Sequence, residues 1–406
     1  MKIWLLRASE FMPIVDGNDR LLRMGLLAEK LTNKGHDVTW FASTFNHFKK
    51  KQYSNKDVVV TVKDNYRLNL IHAISYKKNI SIKRIINHQM LGYKLKRKMN
   101  ELEKPDLIFA SFPTIEFAHT AVKYGKKNNI PVIIDVRDLW PDIFNHNLKG
   151  IIKLMSKPYV KYLNIKTKKI MKECDYITSI SPDMLKWALK KGRRKKTKLD
   201  DYFYIGYKKH DKKIKKSNIK LDKKKFNICF CATINNQFNY DLLANVASKL
   251  ENKDVEFLIC GDGPNINILK EKINGLKNVR LLGWLNKYDL SYVLDNSDLG
   301  FAPYKNTFDF QMSVSNKFSE YLSHGLPILM TVTGYMKSLI NKYDLGFSSE
   351  NVDDICDFVI NLQKDEKKCQ NMSKNAIILF EEYFDADKIY DELSSHLENL
   401  GRKLKK

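Results

Sequence analysis

Short runs of continuously apolar residues recur along the chain, each followed by a stretch whose apolar positions repeat every three to four residues. KIWLL (2–6) reads as a buried strand, and Arg20 to Lys34 as an amphipathic helix ended by Gly35. DVTWFA (37–42), LIFAS (107–111), PVIIDV (131–136), YITSI (176–180) and YFYIG (202–206) read as further strands, with a helix from Ile115 to about Lys127. Unbroken apolar strands separated by helices indicate a parallel sheet covered on both faces. From Tyr207 to Lys225 the segment YKKHDKKIKKSNIKLDKKK has almost nothing to bury and reads as a solvated basic linker. The alternation then restarts with NICFCA (227–232), VEFLIC (255–260), VRLLG (279–283), DLGFA (298–302) and LPILMT (326–331), followed by helical patterns beyond Val352. The pattern predicts an α/β protein of two Rossmann-like parallel-sheet domains, 1–206 and 226–406, joined by the linker 207–225. Two such sheets are expected to face each other across a cleft lined by the carboxyl ends of their strands, where open α/β sheets bind ligands.

Length and composition agree with this division. A chain of 406 residues exceeds what one core ordinarily supports, and 43 % hydrophobic residues are enough for two cores. No apolar run reaches the length of a membrane span, and Arg7 and Glu10 interrupt the N-terminal apolar stretch where a secretory segment needs continuity. The six cysteines have no metal or disulfide spacing, which points to buried thiols in a reducing, cytoplasmic setting. Charge is the unusual quantity: 71 basic against 46 acidic residues give +25. Nucleic acid, an anionic membrane, an anionic substrate or a lysine-rich composition each account for that total.

Three glycine turns follow strand ends: DGNDR (16–20) with Gly17, CGDGP (260–264) with Gly261 and Gly263, and SHGLP (323–327). Neither a G-x-G-x-x-G after the first strand nor a Walker lysine motif is present, so dinucleotide oxidation and P-loop chemistry lack support. Gly261 and Gly263 suit either a close backbone approach to a ligand or a plain tight turn. In SNKFSEYLSHGLPIL (315–329), Ser315 is a candidate N-cap, which leaves the amides near Asn316 and Lys317 to form an anion cradle. Lys317 adds a full charge, and Glu320 one turn later is an acceptor able to hold two sugar hydroxyls. A surface helix with an ordinary Lys–Glu face has the same spacing. In IIDVRDLWPDIF (133–144), Arg137 and Asp138 emerge directly after a buried strand, either as a catalytic pair or as a structural ion pair.

Taken in order, these segments resemble the GT-B glycosyltransferases of the large retaining family 4 group. SNKFSEYLSHGLPIL is similar to that group's donor-site helix, and CGDGP with NVRLLGWL (278–285) to its glycine turn and the strand after it. ASFPTIEFAHTAV with IPVIIDVRDLWPDIF (110–144), and the N-terminal 16–48, resemble the bacterial capsule and O-antigen branch. The resemblance implies a metal-independent enzyme without cofactor that moves a sugar, with retention, from a nucleotide sugar such as a UDP-sugar to a lipid-linked or oligosaccharide acceptor in surface polysaccharide biosynthesis. It places donor-binding at Gly17, Gly261, Gly263, Ser315, Asn316, Lys317 and Glu320, with Glu320 on the ribose. Catalysis is expected of Asp138 and Arg137 from their place directly after a buried strand, at the ligand-binding edge of the N-terminal sheet. Three positions depart from the group's pattern: Met312 replaces the first of two glutamates, Asn235, Asn236 and Asn239 stand where an Arg and a Lys are usual, and Arg137-Asp138 replaces a histidine.

The basic excess is also distributed unevenly. No acid occurs from Asn65 to Asn100, nor between Ile143 and Lys172, where Lys149, Lys153, Lys157 and Lys161 recur every four residues among apolar neighbours. Basic amphipathic stretches of this kind predict peripheral docking on the anionic inner face of the cytoplasmic membrane. A GT-B sugar-nucleotide epimerase is the alternative enzyme. A polyanion-binding protein is the distant one, and nucleic acid is not expected as a partner because no base-stacking aromatic signature is present.

Overall fold

The computed structural model describes residues 1–15, 21–148, 150–208 and 217–403. It divides into two compact units, Met1–Tyr204 with Lys388–Lys406, and Ile205–Asp387.

The first unit holds an eight-stranded sheet. From one edge its strands are Asp201–Tyr202, Tyr176–Ser179, Val132–Val136, Leu107–Phe112, Lys2–Leu6, Asp37–Ser43, Tyr66–Ile71 and Val58–Lys63. Every neighbouring pair is parallel except the last, a hairpin over Val58–Ile71. Strand Leu107–Phe112 is buried at every residue, as its continuous apolar run requires for a sheet covered on both faces. The edge strand Val58–Lys63 instead alternates between half-buried and exposed positions. Of the run 202–206 read as strand from the sequence, only Tyr202 lies in the edge strand Asp201–Tyr202, although the Phe203 N–H still donates to Ser179 O at 2.9 Å.

The second unit carries a six-stranded, wholly parallel sheet in the order Val279–Gly283, Val255–Cys260, Phe226–Cys231, Leu299–Ala302, Ile328–Met330 and Gly346–Ser348. The strand order reverses at Phe226–Cys231, the topological switch point at which doubly wound sheets bind ligands. The α/β, Rossmann-like architecture expected for both halves is therefore present in each.

The final helix departs from the expected boundary. Expected within a second domain of 226–406, the segment Lys388–Lys406 instead belongs to the first unit. Helix Ala386–Lys403 buries Leu393, Leu397 and Leu400 completely. Its polar positions bond to the first unit: Lys34 Nζ to Asp391 Oδ1 at 3.0 Å, and His36 Nε2 to Glu398 Oε1 at 2.7 Å. Of the expected linker 207–225, residues 209–216 lie outside the described structure.

Candidate active site

In the second unit, the helix Asn316–Ser323 begins where the sequence predicted. Ser315 adopts an extended conformation and its Oγ accepts the Phe318 N–H at 3.3 Å, satisfying one first-turn donor. Gly325, at φ +66°, ends the helix, and its N–H donates to Leu322 O at 3.0 Å. Asn316 is exposed, whereas Phe318, Tyr321 and Leu322 are fully buried beneath the helix. This packing seats the helix on the sheet, and of its first residues Asn316 alone is exposed.

Lys317 Nζ donates to Glu320 Oε2, and Tyr207 Oη donates to Glu320 Oε1 at 3.0 Å. Glu320 is only 6 % exposed. Burial opposes the Lys317 ammonium, but the Glu320 carboxylate outweighs it and holds the lysine pKa above its ordinary value. Both glutamate oxygens are thus engaged.

Of the two readings open for the glycine turn after Val255–Cys260, the structure shows the close-packed turn. Gly261 and Gly263 sit at φ +143° and +158°. A Cβ on Gly261 would lie 1.8 Å from Ala232 O, and one on Gly263 would lie 2.4 Å from Ile234 O. Their amides are used internally: Gly261 N–H donates to Gly283 O at 2.7 Å, and Gly263 N–H lies 2.7 Å from Asp262 Oδ1. These glycines let two strand-end loops touch, backbone to backbone. Gly17 falls outside the described residues.

In the first unit, Arg137 and Asp138 follow strand Val132–Val136 as expected, but Arg137 pairs with Glu10. Arg137 Nη1 meets Glu10 Oε2 at 2.7 Å, while Glu10 Oε1 accepts the Met24 N–H at 2.6 Å. Glu10 is therefore the cap of helix Arg23–Asn33, whose own N-cap residue, Leu22, has no capping side chain. Arg7 lies against the same carboxylate and donates to Pro113 O at 2.7 Å. Burial and repulsion from Arg137 bring its pKa down to about 10, so it stays cationic at neutral pH. Asp138 is half-buried, accepts the Leu139 N–H at 2.7 Å, and lies in the fields of Arg7 and Arg84.

Several solved structures share this architecture at low sequence identity. Sucrose-phosphate synthase from Thermosynechococcus elongatus is 12 % identical with a TM-score of 0.72, covering 98 % of each chain. HepE of Anabaena, in complex with UDP, is 13 % identical with a TM-score of 0.67, covering 98 % of this chain and 100 % of that one. A glycosyltransferase from Rickettsia africae is 14 % identical with a TM-score of 0.63, covering 100 % of this chain and 98 % of the other. No curated protein sequence matches the chain. Residues 24–199 match the model of Glycosyltransferase Family 4, and residues 225–365 that of Glycosyl transferases group 1. The chain is a GT-B glycosyltransferase.

Several groups at the two sheet edges of this glycosyltransferase were not singled out in the sequence. Trp284, directly after strand Val279–Gly283, is 71 % exposed, an unusual setting for so large an apolar ring. Near Asp138, burial first and the Arg84 charge second push both His47 and His88 down to about 3, so both rings are neutral at physiological pH. Arg7 and Glu10 come from one N-terminal segment and Arg84 from another far along the chain. Only Trp284 carried a local signal, through its place in the NVRLLGWL strand end.

Proposed function

We propose that this glycosyltransferase moves a sugar, with retention of anomeric configuration, from a nucleotide sugar such as a UDP-sugar to a lipid-linked glycan acceptor in surface polysaccharide synthesis. The observation that carries the donor half is the capped helix Asn316–Ser323, which sets Lys317 and Glu320 beside the switch-point strand of the second sheet. First-turn amides and the positive end of the helix dipole favour an anion, and Lys317 adds its charge. On this reading Ser315, Asn316 and Lys317 hold the diphosphate without a metal. Glu320 exchanges Lys317 or Tyr207 for the ribose hydroxyls. Gly261 and Gly263 shape the floor by close packing, and the Trp284 face takes the base. HepE has been captured with UDP and with UDP-glucose, which favours a uridine donor.

In the first unit, Asp138 receives or orients the acceptor hydroxyl proton. Arg137, held by Glu10, keeps the surroundings cationic as negative charge develops. Lys317 aids departure of the nucleoside diphosphate, and a phosphate oxygen of that leaving group takes the acceptor proton where Asp138 only orients the hydroxyl. The membrane part of the reading rests on helices Ile82–Glu101 and Gly150–Glu173, which expose Ile82, Ile86, Ile151, Leu154 and Met155 between lysines. Lys149 lies outside the described residues.

The test is calorimetry with a panel of UDP-, GDP-, ADP- and dTDP-sugars, paired with slow donor hydrolysis. Saturable binding of one nucleotide class and release of its sugar with retained configuration are expected. No binding to any member would remove the reading.

A further inference from the structure

In the first unit two cations stand together without a direct ion pair: Arg84, whose charge a carboxylate favours only through the field of Asp138, and Lys50. Arg84 and Lys50 both stand over the Tyr76 ring, at 5.8 and 5.0 Å from its centroid. Both also bond to Asn79, Arg84 Nη1 to its carbonyl at 2.8 Å and Lys50 Nζ to its Oδ1 at 2.6 Å. Among the described residues neither has an ion-pair partner, and Arg84 Nε is buried without any hydrogen-bond partner. His47 Nδ1 lies 3.4 Å from Lys50 Nζ, and burial keeps that ring neutral, so it supplies no counter-charge. Holding two like charges together in a half-buried site costs free energy unless an anion joins them.

Behind Arg84 lies an apolar cavity of about 120 Å³, walled by Ile85, Trp140, Phe144, Leu148, Ile152 and Val160. Arg84 stacks on the Trp140 ring at 4.8 Å, at the junction of charge and cavity. The volume corresponds to roughly four waters, or the first few carbons of a chain. The cavity also opens outward: Ile80 and Ile152 line it and are 64 % and 56 % exposed. They continue into the exposed apolar faces of helices Ile82–Glu101 and Gly150–Glu173. A paired cationic mouth, a dry wall and an apolar exit ramp in sequence describe the head, neck and tail of an anionic amphiphile.

We infer that this cavity binds the phosphate-bearing end of a lipid acceptor, with Arg84 and Lys50 on the phosphate and the proximal hydrocarbon against Trp140 and Ile152. The inference rests on the lipid-linked acceptor proposed above and assigns that acceptor's phosphate a place. It also accounts for the position of Asp138, which lies in the field of Arg84 and so close to where the acceptor's sugar would begin.

Farnesyl phosphate, below its micellar concentration, is the probe, with farnesol and inorganic phosphate as separate arms. Trp140 fluorescence is the readout, and Trp140→Phe identifies its share of the signal. Farnesyl phosphate should quench Trp140 saturably, farnesol should bind at least 10-fold more weakly, and inorganic phosphate should leave the signal unchanged at equal concentration. Arg84→Gln should weaken the phosphate ester about 10- to 100-fold and farnesol less than twofold, whereas Ile152→Asp should weaken both. If Arg84→Gln unfolds, Lys50→Gln makes the same comparison on the exposed cation. Equal affinity for ester and alcohol, an unchanged affinity in the cation variants, or equally tight inorganic phosphate would overturn the inference. Nucleotide-sugar calorimetry on the same samples separates the two readings: donor binding without farnesyl phosphate binding removes this site alone.

Discussion

Asp135 and Asp138 stand three residues apart and have opposite tasks. Asp135 is fully buried and receives Arg23 in a two-pronged pair, Nε to Oδ2 at 2.9 Å and Nη2 to Oδ1 at 2.8 Å, with Thr178 Oγ1 as a third donor at 2.9 Å. Burial alone would raise its pKa, but Arg23 outweighs it and holds the carboxyl below the ordinary 3.8. Asp135→Asn leaves the Arg23 charge buried and uncompensated, so a loss of about 3–5 kcal/mol is expected in denaturant unfolding. The sign with pH follows from the lowered native pKa. The carboxylate's contribution is present in full above the unfolded value of 3.8 and is lost as pH falls through the lower folded value. The margin of wild type over the variant should therefore narrow only in acid, and a margin that narrows above pH 5 would contradict the pairing. Asp138→Asn should behave differently: transfer falls about 10²–10⁴-fold while melting temperature and donor affinity hold steady. The Leu139 N–H bond at 2.7 Å is the competing task for this carboxylate, and near-normal turnover in the variant would assign it to that turn alone.

At the scale of the element, helix Asn316–Ser323 is one local unit that the sequence states openly. Ser315 caps it, Gly325 stops it, and the i, i+3 spacing of Lys317 and Glu320 puts both charges on one side. Glu320→Gln should weaken nucleotide binding by about 1.5–3 kcal/mol, the cost of a charge-assisted hydrogen bond, while Lys317 loses its partner. Unchanged calorimetric affinity would show that the carboxylate serves only Lys317 and Tyr207. The glycine turn of 261–263 is legible in a weaker sense. Its glycines are required, but by Ala232 and Ile234, which lie some thirty positions earlier and meet them only once the two strands are side by side. Helix Arg23–Asn33 shows the same limit, since its cap is Glu10 and not its own flanking residue.

At the scale of the whole molecule, the basic excess of +25 meets an exposed apolar surface on two helices of the first unit. No helix among the described residues is long and apolar enough to cross a membrane. Lys153, Lys157 and Lys161 lie among exposed Ile151, Leu154 and Met155, so each lysine near an anionic surface should add about 1 kcal/mol of attraction. In flotation with vesicles containing phosphatidylglycerol, the protein should rise with the lipid, and conversion of these three lysines to Gln should reduce that by at least 10-fold. Equal flotation with neutral vesicles, or an unaffected triple variant, would leave these lysines as a solvated face.

The sequence by itself determined the alternation of strands and helices, the parallel sheets and the capped helix Asn316–Ser323, because each is encoded by neighbours in the chain: apolar runs, 3.6-residue periodicity, a cap and a stop. The hairpin over Val58–Ile71 escaped that reading, since an edge strand half open to solvent has no continuous apolar run. Only the tertiary structure decided which charges neutralise each other. Arg137 was read beside Asp138 and is held by Glu10, 127 positions away, and Arg23 finds Asp135 112 positions away. It also decided where the last helix belongs, because Leu393, Leu397 and Leu400 form an apolar stripe that is periodic in itself and silent about which sheet will cover it. Helix and strand formation are governed by separations of two to four residues, whereas ion pairing in a protein interior depends on distances in space that chain spacing does not encode.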